Sequence, residues 1–103
     1  MAYQIIFTYS AKSDLEQIAH FIASDSENAQ IAIGYIEKLQ STIASLTDFP
    51  NRGNSPQYRL LRLQGYRFII CVNHLVFYKI FQETQKVIIY RILHQRSSYQ
   101  NLL

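Results

Sequence analysis

The stretch LVFYKIFQETQKVIIYRILH, residues 75–94, contains two runs rich in strand formers, 75–81 and 86–94, joined by four polar residues. Valine, isoleucine, phenylalanine and tyrosine fit a pleated, half-buried surface. A link this short cannot carry a parallel crossover, so the runs pair antiparallel. In the second run, alternation puts Ile88, Tyr90, Ile92 and His94 on one face and Val87, Ile89, Arg91 and Leu93 on the other. Both faces are largely apolar, which predicts a central strand.

Upstream, the same logic gives a turn at Asn73-His74, a strand over 66–72, a turn at Gln64-Gly65 and a further strand over 58–63. Residues 51–57, with Gly53 and Pro56, form a connector after Phe49-Pro50. Before it the period changes. Ala29, Ala32, Ile36, Leu39, Ile43 and Leu46 recur at steps of three and four, a heptad-like seam too short for an independent coiled coil. Leu15, Ile18, Ala19 and Ile22 give an earlier helix, running to about residue 23, one apolar stripe. Ser10 is placed to cap it, and Ser13 with Glu16 has capping-box spacing. Residues 24–28 read as a polar turn, and residues 3–9 as a first strand. The predicted class is α+β in the order β-α-α-β-β-β-β, with a helical hairpin packed on a mainly antiparallel, twisted sheet.

The 103 residues, 49% hydrophobic and without a Gly/Ser linker or repeat, suffice for one core and predict a single domain over 1–103. No apolar run approaches the roughly 18 residues that a membrane span needs. The first nine residues carry neither a basic region nor a small-residue cleavage site, so a cytoplasmic location is expected. Cys71, the only cysteine, lies in an apolar run and reads as a buried structural thiol. His20, His74 and His94 stand at spacings that no metal motif uses, so neither a metal nor another cofactor is expected.

Charge is divided between the halves. Up to Pro50 there are two cations against six carboxylates; from Asn51 there are eight cations against Glu83 alone. The second half is expected to face an acidic partner, nucleic acid or protein. No predicted helix pair carries basic residues on an exposed face, which makes a plain DNA-binding module the weaker class.

Four pieces, in order, are similar to the RelE/ParE superfamily of bacterial toxins over nearly the whole chain. They are SAKSDLEQI (10–18), LTDFP (46–50) with Gly53, GYRF (65–68) and RILHQR (91–96). The resemblance implies a cytoplasmic toxin of a type II toxin-antitoxin pair, forming a hetero-oligomer with its antitoxin. Two activities share the fold, so the residues must decide between them. The ending from Ile92 to Arg96, the paired helices and the apolar tail Leu102-Leu103 resemble the ParE branch, which binds DNA gyrase and is not an enzyme. That reading makes Arg59, Arg67, Arg91, His94, Arg96 and Tyr99 candidates for target binding.

The alternative is a ribosome-dependent mRNA endoribonuclease of the RelE type, needing no metal. It requires a base for the 2′-OH, a cation for the phosphorane and an acid for the leaving oxygen. Arg67, His94, Arg96 and Tyr99 would supply these. Two departures weigh against it. Arg59-Leu60-Leu61 stands where those nucleases carry Lys-x-Lys, and Tyr99 follows Arg96 about a turn too closely. For the antitoxin, the resemblance implies an acidic, partly apolar segment across the hairpin and a sheet edge, with Leu15, Ile22, Ile33, Tyr35 and Arg67 as candidate contacts.

Plainer roles compete with these. His94 at a strand end can simply bridge backbone groups. Arg67 and Arg91 can pair with Glu16 or Glu37, and Arg59, Arg62 and Lys86 can be solvated. Tyr66, Tyr78 and Tyr90 are expected in the core, Tyr58 and Tyr99 at the surface.

Overall fold

A computed structural model describes residues 2–99 and 103. Its four strands are β1 (Gln4–Phe7), β2 (Arg67–Cys71), β3 (His74–Phe81) and β4 (Lys86–His94), in the sheet order β1-β4-β3-β2. β1 lies parallel to β4, and the other two pairings are antiparallel. The parallel pairing needs a long crossover, supplied by helices α1 (Tyr9–Ser26) and α2 (Ala29–Ala44). This is the expected α+β architecture, with β4 in the interior of the sheet.

Thr8 starts α1 in place of Ser10 or the Ser13/Glu16 pair. Its Oγ1 accepts from Ala11 N at 3.1 Å and donates to Tyr90 O at 2.9 Å, so one side chain caps the helix and ties it to β4. The helix also runs past residue 23, because Glu27 takes a left-handed conformation (φ 54°) and Asn28 caps α2 through Gln30 N at 2.9 Å. The polar turn is thereby reduced to two residues.

The expected strand over 58–63 is a one-turn helix, α3 (Arg59–Leu63). Leucine and arginine are strong helix formers, and a Gly65 at φ 89° ends the turn. Tyr66 N bonds Leu61 O and Gly65 N bonds Arg62 O, both at 3.0 Å, so Gln64-Gly65 closes a helix instead of a hairpin. The hairpin turn expected at Asn73-His74 sits one residue earlier, at Val72-Asn73. His74 therefore belongs to β3, directly opposite His94.

The strict alternation expected for β4 also breaks. The β3–β4 register slips between Phe77/Tyr78 and Arg91/Ile89, leaving Tyr90 as an extra residue. Beyond that bulge the faces exchange. Ile92 joins Val87 and Ile89 under the helices, while Leu93 joins Leu75 and Phe77 on the opposite face.

The main core lies between the hairpin and the sheet, where Leu39, Ile43 and Leu46 meet Ile69, Val76, Tyr78, Val87 and Ile89. Cys71 is buried there with a free thiol. Behind the sheet, Leu75, Phe77 and Leu93 are covered by Phe68, Tyr99 and Leu103. Leu102, the other half of the expected apolar tail, lies outside the described residues. Tyr78 is fully buried as expected, whereas Tyr66 and Tyr90 are half-buried with the Lys79 ammonium 4.3 and 5.1 Å from their ring centroids. Tyr78 also donates to Pro50 O at 2.7 Å. Tyr78→Phe strands that carbonyl and should lower stability by about 1–2 kcal/mol in urea unfolding.

Candidate functional site

β1 ends at Phe7, opposite Ile89, so among the described residues β4 has no strand neighbour on that side from Tyr90 onward. Both helices line this open edge. Between them and the edge lies a groove of 770 Å³, walled by Ile18, Phe21 and Ile22 of α1 and by Ile31 and Tyr35 of α2, with Arg91–His94 of β4 along its side. Phe21 and Ile31 are 69% and 53% exposed. Apolar side chains this open, beside an unpaired strand edge, form the kind of surface that an extended or helical segment covers.

Asp14 fixes one wall. Its carboxylate accepts from Arg91 Nε at 2.7 Å, from Arg91 Nη2 at 3.0 Å and from Ile92 N at 2.9 Å. The fork-on-carboxylate geometry holds the guanidinium in one orientation. The same carboxylate terminates the free edge of β4 by taking the Ile92 N–H. Arg91 is held more firmly protonated, first through this hydrogen bond, with burial opposing it and the Asp14 charge adding to it. Arg91 thus pairs with a helix carboxylate as anticipated, but with Asp14 in place of Glu16 or Glu37.

The other wall contains the cross-strand pair His74 and His94, with ring centroids 5.4 Å apart and nearly perpendicular. Tyr35 Oη lies 2.6 Å from His74 Nδ1, and Asn73 N donates to the same oxygen at 3.4 Å. His94 Nδ1 accepts from Arg96 N at 3.2 Å, one of the backbone contacts that a bridging role needs. Burial, and then the charge of His94, pull His74 below its ordinary pKa. Burial raises the Tyr35 hydroxyl.

The remaining candidates lie elsewhere. Arg67 is turned to the connector: its Nη2 donates to Asn51 O at 2.9 Å and to Gly53 O at 2.7 Å, so it bonds carbonyls and not the expected carboxylates. It shares a face of β2 with Ile69 and Cys71, the face toward the helices. Tyr99 packs behind the sheet, 4.7 Å from the Phe77 ring and 5.2 Å from that of Tyr58. Tyr58 and Tyr99, expected at the surface, are both half-buried. Burial, then Tyr58, pushes the Tyr99 hydroxyl up, which leaves less of it ionised to act as a base near neutral pH. Arg59 and Arg96 are exposed, as is Arg62, whose Nη1 donates to Pro56 O at 2.9 Å. Of the expected antitoxin contacts, the groove gathers Ile22 and Tyr35. Leu15 packs against the core, and Ile33 lines a smaller apolar hollow with Ala32 and Ile36.

Among the described residues no three His, Cys, Asp or Glu side chains come together as a metal site, and no helix is long and apolar enough to cross a membrane.

The family model for the ParE toxin of type II toxin-antitoxin systems matches residues 5–99. The chain belongs to the ParE toxin family. This ParE-family toxin is also similar in fold to three solved structures. The first is described as the chromosomal ParDE toxin-antitoxin system from P. aeruginosa, with 15% identity, a TM-score of 0.73, and 90% of this chain and 96% of that one covered. The second is the RelBE2 toxin-antitoxin complex from Mycobacterium tuberculosis, with 23% identity, a TM-score of 0.62, and coverage of 91% and 99%. The third is a YoeB/ParE toxin from Agrobacterium tumefaciens, with 17% identity, a TM-score of 0.59, and coverage of 88% and 96%. No curated protein sequence matches the chain.

Most of the groove lining of this ParE-family toxin was not among the sequence candidates, Asp14 and His74 included. Asp14 stands three residues after Ala11, on the stripe that enters the core, and an acidic residue in an apolar stripe signals a buried partner. His74 was assigned to a turn, which hid its pairing with His94.

Proposed function

We propose that this ParE-family toxin acts in the cytoplasm by inhibiting DNA gyrase and is neutralised by an antitoxin whose acidic, partly apolar segment lies in the groove between α1, α2 and the open edge of β4. The observation that carries the inhibitor reading is the distribution of the nuclease candidates. Arg67 and Tyr99 stand on opposite faces of the sheet, Arg67 bonds the Asn51–Gly53 connector, and Tyr99 is a half-buried packing residue. A general base and its cation must converge on one reacting phosphate. An inhibitor that traps one state of its target needs only differential affinity for that state. Arg59, Arg91, His94 and Arg96 then remain the candidate contacts to the target.

The deciding experiment runs gyrase supercoiling and DNA cleavage beside mRNA cleavage on programmed ribosomes, with one toxin preparation. Inhibited gyrase with intact mRNA is expected. Tyr99→Phe should leave that inhibition in place, whereas His94→Gln, at a candidate target contact, should weaken it without abolishing it. Cleaved mRNA with unaffected gyrase, lost by about a hundredfold or more in either variant, would establish the nuclease instead.

A further inference from the structure

The groove contains an ionisable group, His74, for which the described residues lining it offer no carboxylate that is not already engaged. Among the described residues the only carboxylate lining it is Asp14, and its oxygens are engaged by Arg91 and Ile92. The other polar residues that line the groove with His74 are Gln17 of α1, Tyr35 of α2, Asn73 of the turn, and Arg91 and His94 of β4, of which Tyr35 and His94 lie against its ring. All are neutral or cationic. A proton on the imidazole would therefore meet a half-buried site with cations on one side, where the one lining carboxylate described is already engaged by Arg91 and Ile92.

The hydrogen bonds around the ring accept either protonation state. While His74 is neutral, Tyr35 donates its hydroxyl proton to Nδ1 across 2.6 Å. Once the ring carries a proton on Nδ1, it donates to the same oxygen, and the tyrosine proton turns to Cys71 O at 3.4 Å. The local structure need not open for the ring to be charged.

We propose that His74 is a proton-linked anchor, and that an acidic segment entering the groove binds with uptake of a proton on His74, supplying a counter-charge that the described lining of the groove does not provide. The inference rests on the reading that such a segment occupies this groove. The sign follows from linkage. Burial and His94 hold the ring below its ordinary pKa in the free toxin, and a carboxylate beside it raises that pKa in the complex. Affinity then increases as pH falls from the raised value to the depressed one, and is constant outside that window.

The test uses a short capped peptide of alternating leucine and glutamate, with its glutamine counterpart, titrated by calorimetry into the intact toxin from about pH 7.5 to about pH 5.5, a range that brackets histidine and lies above glutamate. The glutamate peptide should bind about tenfold more tightly at the lower pH for each unit by which the His74 pKa rises. The glutamine peptide should show no such gain. His74→Gln, which can still bond Tyr35, should keep the affinity seen at the higher pH and lose the gain, while Tyr35→Phe should shrink it. NMR titration of the His74 ring should show its pKa rising on peptide addition. Binding of the glutamate peptide with equal affinity throughout, or a gain that survives in His74→Gln, overturns the anchor and leaves the groove as a docking site. Failure of both peptides to bind at either pH overturns the docking reading itself.

Discussion

Asp14→Ala should lower the free energy of unfolding by about 3 kcal/mol, the lower end for removing one partner of a buried ion pair. Three donors converge on that carboxylate, two from Arg91 and one from the backbone of Ile92. Removing it leaves the Ile92 N–H unpaired at the strand edge, where it is otherwise buried. The guanidinium side chain is 25% exposed, so water recovers part of its loss and keeps the effect from the upper end. Asp14→Asn retains an acceptor for Ile92 and should lose clearly less. Urea unfolding of both variants measures this. A loss under about 1 kcal/mol in Asp14→Ala would place the pair with ordinary surface salt bridges and deny it any part in holding the groove wall.

Gly53→Ala is expected to cost about 3 kcal/mol, for a reason of space alone. Gly53 has φ −79°, which any residue adopts, so no left-handed strain is involved. A Cβ there would collide with the Tyr78 hydroxyl and with the Phe68 carbonyl. Tyr78 is fully buried and bonded to Pro50 O, and Phe68 O accepts from Asn54 N at 2.7 Å, so neither can retreat without breaking a bond. Overpacking of this kind costs about 1–3 kcal/mol, and loss of the Tyr78 hydrogen bond adds to it. The denaturation midpoint should drop sharply, and Tyr78→Phe in the same chain should relieve part of the loss, because it removes one of the two colliding atoms. Unchanged stability in Gly53→Ala would mean that the connector is not clamped as described.

This clamp explains why the Phe49-Pro50 and Gly53 motif was legible as a signature but not as a mechanism. The motif marks where the chain must press against β2 and β3, yet the atoms it presses on come from Phe68 and Tyr78. Arg67 shows the same gap. Its place on a strand was readable, and its charge made it a candidate for target binding, antitoxin binding and catalysis. Its engagement with two carbonyls of the connector depends on where the connector comes to rest.

The fold class, the two helices, the three consecutive strands of the second half and the superfamily were written in local chemistry. Apolar residues at steps of three and four, and runs of β-branched and aromatic residues, each point to one kind of element within a dozen residues. That local rule failed at 58–63, where leucine and arginine favour a helical turn that Gly65 closes, and at Tyr90, where a bulge exchanges the faces of β4. The groove was beyond such rules altogether. Asp14 and Arg91 are 77 positions apart, Tyr35 and His74 are 39 apart, and the open edge exists only because β1 stops at Phe7. The sequence by itself determined which elements form and the family to which they belong. Tertiary structure decided which side chains meet, because partners so far apart are brought together only by the strand register and by the helix crossing that packs over it.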